Sequence, residues 1–470
     1  MNGTLTSPST PRSDNGEASG YHRRAVVIGA GMGGLLAAGA LTRHFDDIVL
    51  IERDRLDQAT ANRKGVPQGR HVHALLARSC VSIGSRFPGY LDDLAARGAT
   101  SGDALEVVRW FHGGGYHATG TAGFEAFIAS RVLLEGILRE HLLRNPNVRV
   151  LDGTAVDDLT WDATGTRVTG VAISGDTLSA DGTLPAGLVI DASGRGSRLP
   201  AWLRDHDWPV PEESNVEIGI RYATRMFRRS PGDLDGALAG ASIAAPANPH
   251  GGLALAIEDN RWLISISGRN GEQPPTELDG FIDYAATLAG PDIHRLARDA
   301  EPLDDGTTYA FQRSTRRHYE RLDRFPEGIV PMADAVCSFN PIYGQGMTVA
   351  AIEADILEKC LESGPDGVAT RFLAASTPLV EGAWRMSTSA DYRFTTPDSA
   401  MPQPAREMNA YLDRLHLAAH QDVEVARAFC AVMHLMAPPD LLRSPEIMAR
   451  VMATPSDSAP LPIRQAVAIA

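Results

Sequence analysis

The chain has 470 residues, of which 43% are hydrophobic and 22% are charged, a balance that is typical of folded proteins and excludes wholesale disorder. This length exceeds that of an average domain and indicates more than one structural unit. With 44 basic and 58 acidic residues the net charge is −14, which disfavours sequence-independent nucleic-acid binding and docking on anionic lipid through a basic patch.

The start of the chain and its cysteines indicate where the protein works. Residues 1–22 are mostly small and polar and are predicted to form a disordered tail. The 4 cysteines are scattered and form no C-x-x-C pair, which disfavours a zinc site and is typical of reduced thiols. We therefore expect a cytoplasmic protein with no metal.

Residues 25–42 carry no charge over about the length that crosses a bilayer, so a membrane anchor or signal peptide is one interpretation. Glycines cluster directly after a strand-like run, however, which is not typical of a spanning helix. They are Gly29, Gly31, Gly33, Gly34 and Gly39. No later segment is long and apolar enough to span, and we expect no membrane span.

The same stretch predicts a dinucleotide-binding unit. An apolar strand at residues 25–28 runs into G-x-G-x-x-G at Gly29, Gly31 and Gly34, and a small-residue helix follows. Such glycines permit a tight turn, close approach of a pyrophosphate and close helix packing. A second strand ends at Glu52, where a carboxylate can accept hydrogen bonds from a ribose diol. The predicted cofactor ligands here are Gly29, Gly31, Met32, Gly33, Gly34, Glu52 and Arg53.

Two later segments favour FAD over NAD. Residues 188–198 form an apolar strand that runs into a polar turn containing Asp191 and Gly194. Residues 328–335 form another strand that ends at Asp334. A turn at residues 339–347, rich in proline and glycine, leads into a predicted helix.

These three segments resemble the FAD fingerprints of the flavoprotein monooxygenases of the para-hydroxybenzoate hydroxylase-like superfamily. The resemblance implies an α/β fold, with a Rossmann-like FAD-binding domain, an inserted β-sheet substrate domain and a helical C-terminal region. The FAD-binding domain is expected at residues 23–200 and 320–370. The substrate sheet is expected at 201–319, and the C-terminal region at 371–470.

The resemblance also implies roles for single residues. Asp334 is expected to hold the ribityl chain, and the backbone of Gly344, Gln345 and Gly346 to face the flavin. Arg131, which opens a predicted helix, is expected to contact the FAD phosphate or ribose, with an ordinary surface arginine as the alternative. Further expected cofactor contacts are Val156, Asp191, Gly194, Pro341 and Met347. The family usually has glycine before the late acid, whereas this chain has Ala333, which requires a negative φ to be tolerated without strain.

A narrower resemblance lies in residues 63–73, RKGVPQGRHVH, which are similar to a stretch of bacterial polyether epoxidases of the lasalocid and monensin type. Arg63 and Lys64 are predicted cofactor ligands, with a solvated basic loop as the alternative. His71 and His73 lie two apart and would share one side of an extended segment. A proton-relay role for either imidazole is possible chemistry at neutral pH.

Alternating apolar residues at 216–222 and a hairpin around 253–266 predict a separate sheet, which in the family roofs the substrate pocket. Tyr222, Phe227 and Trp262 are the candidate substrate contacts, with core packing as the alternative.

The resemblance implies an FAD-dependent monooxygenase that transfers one oxygen atom of O2 through a flavin C4a-hydroperoxide. An apolar polyketide- or terpenoid-like substrate is expected, with alkene epoxidation preferred, as a tailoring step of secondary metabolism. NAD(P)H is expected to reduce the flavin directly or through a partner flavin reductase. Alternatives are a hydroxylase, a halogenase, a geranylgeranyl-reductase-like alkene reductase and a cyclase that holds FAD only as structure.

Overall fold

The computed structural model describes residues 23–56, 62–63, 65–175, 182–269, 271–395 and 400–455. The predicted N-terminal tail and the candidate ligand Lys64 lie outside these residues. The fold class is the predicted one, an α/β protein with a parallel sheet, a larger mixed sheet and a helical C-terminal region.

The first sheet has five parallel strands, most of which are apolar runs buried on both faces. Across the sheet they follow the order Ile329–Pro331, Leu188–Asp191, Arg24–Ile28, Asp47–Ile51 and Val148–Leu151. Helix Met32–Leu41 packs on this sheet and against helices Arg131–Leu142 and Gly346–Leu361. Since the strands run in one direction, the turns that follow them gather at one edge, where such sheets bind ligands.

The second sheet has eight strands and contains the predicted substrate strands. Its order is Cys337–Ser338, Thr307–Arg317, Glu213–Arg228, Arg261–Gly268, Gly251–Ile257, Ala239–Ser242, Val108–His112 and Gly115–Tyr116.

Strands Val108–His112 and Gly115–Tyr116 correct the predicted domain boundaries. The prediction places residues 23–200 wholly in the FAD-binding domain, yet these two strands extend the second sheet. Val108–His112 pairs in parallel with Ala239–Ser242, with Trp110 opposite Ala241. Pairing between segments so distant in sequence leaves no local pattern, so the early strands could not be assigned to this sheet from sequence.

The two faces of the second sheet have different neighbours. Helices Leu278–Ala285 and Asp292–Asp299 cover one face, where Phe227 and Trp262 are fully buried beside Phe281. This placement corrects the prediction that Phe227 and Trp262 line a substrate pocket, because their side chains fill a sheet–helix core. Side chains alternate across a strand, so Tyr222 lies on the opposite face of the sheet, toward the first sheet's turns.

The remaining elements surround these two sheets. Two three-stranded sheets comprise Ala74–Leu75, Glu125–Ile128 and Thr100–Asp103, and Gly182–Pro185, Val168–Gly175 and Thr154–Trp161. The other helices are Ala77–Arg86, Tyr90–Ala96, Leu199–Asp205, Val368–Thr395, Gln403–Ala419, Val423–Met433 and Pro445–Ala453. Among the residues described, no helix is both long and apolar enough to cross a membrane.

Candidate functional site

The glycine turn after the first strand forms a cradle whose outer face is free of side chains. Gly29 has a φ of +97°, and a Cβ there would lie 2.7 Å from the Ala192 carbonyl oxygen. A Cβ on Gly34 would lie 1.8 Å from the Gly29 carbonyl oxygen, so this position also excludes a side chain. A Cβ on Gly31 would meet no atom within 4 Å, which leaves that backbone open to a ligand. The helix that starts at Met32 points its free N–H groups toward this space.

Glu52 directly follows strand Asp47–Ile51, and its buried carboxylate accepts several hydrogen bonds. Its oxygens accept the backbone N–H groups of Ala30 at 2.9 Å and of Asp54 at 3.0 Å. Arg63 donates to the same carboxylate at 3.0 Å and also contacts Glu135. Burial alone would lower the pKa of Arg63, but Glu135 and Glu52 raise it. This ion-pair group fastens Arg63 to the glycine turn, where its side chain also donates to the Ala30 carbonyl oxygen.

Arg131 lies beside Gly69, at the start of helix Arg131–Leu142. It is the first residue of its helix, and the preceding Ser130 caps that helix by accepting the N–H of Leu133 at 3.2 Å. Arg131 Nε lies 3.1 Å from the Glu135 carboxylate. Its positive charge lowers the pKa of both His73 and Asp334, although burial is the larger influence on each.

The middle turn is held by Asp191. This carboxyl is fully buried and accepts the N–H of Ser193 at 3.1 Å and the hydroxyl of Ser197 at 2.5 Å. Its side chain therefore shapes the turn rather than facing a ligand. Gly194 has a φ of +84°, and a Cβ there would meet no atom within 4 Å. Arg195 follows, and its charge acts on Asp334.

Asp334 lies on the late turn, opposite a helix N-terminus. A Cβ on Gly346 would lie 3.9 Å from Asp334 Oδ1, so the carboxyl faces the start of helix Gly346–Leu361. Burial raises the pKa of Asp334, while the charges of Arg131 and Arg195 oppose that rise.

Ala333 differs from the expectation for this turn. Its φ is +57°, in the left-handed region that favours glycine, whereas the sequence required a negative φ for an alanine here. Its N–H donates to the Glu353 carboxylate at 2.9 Å. The local strain is therefore offset by a hydrogen bond to a buried acid.

Helix Val368–Thr395 holds the loop between Asn340 and Gly346 through hydrogen bonds to Asp391. The buried Asp391 accepts the Asn340 side-chain amide at 2.8 Å and the Tyr343 hydroxyl at 2.9 Å, with Arg269 at 3.3 Å. Gly344 has a φ of +66°, which a glycine adopts readily. These contacts tie the loop to the second sheet through Arg269. The loop backbone faces the crevice, which is the space between the second sheet and the turns of the first sheet.

His71 and His73 occupy different surroundings. The His71 ring lies 2.6 Å from the Thr224 hydroxyl, and its centroid is 5.3 Å from that of Tyr309. The His73 ring instead lies 2.9 Å from the His71 carbonyl oxygen. Burial lowers the pKa of His71 to about 4 and that of His73 to about 3, so both rings are neutral at pH 7. Through Thr224, His71 contacts the second sheet, next to Tyr222.

The other predicted cofactor ligands differ in how exposed they are. Arg53 and Pro341 are exposed, Val156 and Met347 are half-buried against the main core, and Gln345 is 2% exposed. The Gln345 amide nitrogen lies 3.8 Å from the Met386 sulfur, so that this end of the side chain packs against helix Val368–Thr395.

Several site residues were not identified from sequence. Arg195, Tyr309 and Thr224 converge on the crevice from separate segments, and Asp391, Asn340 and Glu353 support it from behind. Arg195 lies within the predicted FAD segment at residues 188–198, where its charge could have identified it as a candidate ligand. The others act through long-range contacts that no local pattern indicates.

Comparison with known proteins identifies the family. The family model described as FAD dependent oxidoreductase matches residues 25–309, which is more than half of the chain. The chain belongs to the FAD dependent oxidoreductase family. It is therefore an oxidoreductase, and the expected flavin cofactor is confirmed as that of its family.

This FAD-dependent oxidoreductase is similar to one protein by sequence and to two solved structures by fold. Protein Rv3254 of Mycobacterium tuberculosis is 33% identical over 446 residues, 91% of this chain and 93% of the relative. The structure of p-nitrophenol 4-monooxygenase PnpA from Pseudomonas putida is 17% identical, with a TM-score of 0.62 over 88% of this chain and 98% of that one. A flavoprotein/dehydrogenase from Cytophaga hutchinsonii is 16% identical, with a TM-score of 0.65 over 87% and 92%. The two structural matches establish the shared fold.

The residues present in the oxidoreductase fit FAD. The open backbone at Gly31 and the helix start at Met32 suit a pyrophosphate, and Glu52 stands where the adenosine ribose would lie. At the other end, Asp334 and the start of helix Gly346–Leu361 suit the ribityl chain and the flavin ring. All lie at the carboxyl edge of the first sheet.

Proposed function

We propose that this FAD-dependent oxidoreductase is a monooxygenase, which inserts one oxygen atom of O2 into a small molecule. The observation that carries the proposal is the roof of the crevice, the part formed by His71, Tyr222 and Tyr309, whose side chains are neutral. His71 has a lowered pKa, and burial raises the pKa of both Tyr222 and Tyr309. Such a surface positions a substrate and excludes water without itself acting as a nucleophile or strong base.

When bound and reduced, FAD would supply the chemistry that activates O2. The chain's own residues then hold and shield the reactants. The backbone at Gly344 and Gly346, together with the helix dipole, stabilises negative charge next to the flavin position. Asp391 holds that loop in place through Asn340 and Tyr343.

Among oxygenation reactions, we propose alkene epoxidation of an apolar polyketide- or terpenoid-like substrate, with aromatic hydroxylation as the alternative. The similarity of residues 63–73 to polyether epoxidases supports the alkene. An electron-rich alkene also needs no base, which matches the neutral roof. The name of PnpA, a monooxygenase of this fold, supports oxygenation in general.

Direct tests of oxygen use separate this function from its rivals. FAD-loaded protein is reduced without oxygen and mixed rapidly with aerated buffer, with and without a panel of alkenes and phenols. We expect reoxidation through a transient absorbance at about 370–390 nm, where oxygen adducts of flavin absorb. Reoxidation that requires no O2 and yields a saturated product would contradict the monooxygenase.

A second candidate is an alkene reductase or dehydrogenase. It is favoured by the flavoprotein/dehydrogenase from Cytophaga hutchinsonii, which has the same fold over 87% of this chain. In both functions we propose NAD(P)H as the electron source, directly or through a flavin reductase. Anaerobic mixing with NADH or NADPH tests this, since direct reduction bleaches the flavin and a reductase requirement leaves it yellow.

A further inference from the structure

Glu353 is a buried acid behind the cofactor crevice that the proposed reaction does not use. It lies two turns into helix Gly346–Leu361 and is 1% exposed. Its Oε2 accepts the N–H of Ala333 at 2.9 Å. The side chain therefore joins the helix that begins at the flavin position to the turn that carries Asp334.

The turn depends on this contact for its shape. Ala333 has a φ of +57°, and its Cβ would lie 2.9 Å from a Cβ placed on Gly33. Ala333 is thus confined between the first glycine turn on one side and Glu353 on the other. Moving Glu353 would release the Ala333 N–H, and with it the position of the Asp334 carboxyl.

The charges around Glu353 are unusual for a buried acid. After burial, Asp334 is the charged group that raises the pKa of Glu353. Burial raises the pKa of the Cys337 thiol, and Glu353 in turn adds to that rise. Within the described part of the chain, no basic side chain forms an ion pair with Glu353. Burial raises the pKa of Glu353 to about 8; the Ala333 N–H opposes this rise, and the charge of Asp334 adds to it.

The elements packed on this helix supply their charges elsewhere. Helix Met32–Leu41 has no ionisable side chain. From helix Ala77–Arg86, Arg86 pairs with Asp355 and Glu358. Helix Val368–Thr395 directs Asp391 to the loop at residues 340–343.

We propose that Glu353 is a positioning residue for the cofactor: as a buried acid without an ion pair among the described residues it is neutral at neutral pH, and it holds the Ala333 N–H and with it the turn that carries Asp334. Two neighbouring buried carboxyl groups cannot both ionise without strong repulsion. Arg131 and Arg195 act on Asp334, so Asp334 holds the negative charge that faces the ribityl position. Neutral Glu353 still accepts the Ala333 N–H through its carbonyl oxygen. Raising the pH charges Glu353 and weakens FAD binding.

The first test measures the FAD dissociation constant by flavin fluorescence from about pH 6 to about pH 9.5. Above about pH 8, wild-type protein should lose up to about tenfold in affinity per pH unit, as one linked proton requires. Glu353→Gln keeps the hydrogen bond but cannot ionise, so it should bind FAD as wild type does at pH 6.5 and show no loss. Glu358→Gln, on the same helix, is the matched control and should follow the wild-type profile.

A Glu353→Gln protein that keeps the wild-type pH dependence would overturn the proposal, as would one that folds but binds FAD weakly at every pH. A second readout needs no cofactor. Infrared difference spectra of the wild-type apoprotein should show a protonated carboxylic acid at pH 7 that is lost above about pH 8. Glu353→Asp should shift that transition. Absence of the protonated acid at pH 7 would refute a neutral Glu353 even if Glu353→Gln failed to fold.

The proposal rests on the FAD site, and the two can fail separately. Wild-type protein that binds no FAD at any pH would contradict the cofactor site itself. The infrared transition and the pH dependence of apoprotein unfolding would still report on Glu353.

Discussion

At the scale of single residues, Ala333 holds a left-handed conformation that an alanine adopts at a cost of about 1–2 kcal/mol. The sequence identified this position as a departure from the family pattern. It could not show the sign of φ, which is determined by Gly33 and Glu353 from two distant segments. The effect of having alanine at position 333 therefore depends on contacts with residues that are distant in sequence.

Replacing Ala333 with glycine should relieve this strain. Part of the gain is lost because glycine is more flexible in the unfolded chain. We expect the free energy of unfolding to rise by about 0.5–1 kcal/mol, measured by urea denaturation of the apoprotein. Ala354→Gly, in the right-handed helix interior, is the control and should lower it by about 1 kcal/mol or more. Destabilisation by Ala333→Gly would show that the turn is unstrained.

Asp334 provides the second prediction at this scale. Asp334→Ala removes the carboxyl that faces the start of helix Gly346–Leu361. A charge-assisted hydrogen bond is worth about 1.5–3 kcal/mol, so FAD should bind about ten- to a hundredfold more weakly. Equilibrium dialysis of FAD measures this change. Full flavin retention in the variant would remove Asp334 from the site.

At the scale of elements, four histidines join strand Val108–His112 and the next strand to helix Gln403–Ala419. His117 Nε2 lies 3.0 Å from His416 Nδ1, and His420 Nε2 lies 2.7 Å from the His112 carbonyl oxygen. Burial lowers the pKa of each ring below the ordinary value of 6.5, that of His112 to about 4. The C-terminal helices are therefore docked on the second sheet through imidazoles that are neutral when folded.

This docking should weaken in acid. The unfolded chain takes up protons at these histidines near pH 6.5, whereas folding lowers the pKa of every ring, that of His112 to about 4. The stability is thus fully present above about pH 6.5 and is lost as the pH falls, by roughly 1–3 kcal/mol for His112. Urea unfolding followed by tryptophan fluorescence from pH 7 to about pH 4.5 measures the slope.

His416→Gln should make that slope shallower, because one of the buried rings no longer takes up a proton on unfolding. His294→Gln, on helix Asp292–Asp299 outside the histidine group, should leave the slope unchanged. Equal slopes for wild type and His416→Gln would mean that the histidine group does not control acid stability.

At the scale of the whole molecule, the predictable parts of the fold are those with local patterns. The glycine turn, Asp191 and Asp334 each follow an apolar strand, so the cofactor half could be outlined from sequence, and its fold class is confirmed. The second sheet could be outlined only in part, because Val108–His112 enters it by pairing with a strand more than a hundred residues later.

The candidate site divides in the same way. Residues of the three FAD segments lie on consecutive turns of one sheet edge, which strand direction alone predicts. The roof does not follow from such rules, since His71 reaches Thr224 across 153 positions and Asp391 reaches Asn340 across 51. Phe227 and Trp262 show the same limit, because alternation along a strand does not reveal which face the helices cover.

In the proposed function, the crevice between the two sheets supports transfer of oxygen from O2 to a small molecule. Single-turnover reaction of the reduced, FAD-loaded protein with ¹⁸O₂ and an accepted alkene or phenol tests it most directly. Mass spectrometry of the product should show one ¹⁸O atom per molecule. A product that carries oxygen only from water, or that is saturated and unlabelled, would contradict the monooxygenase and leave the reductase as the better account.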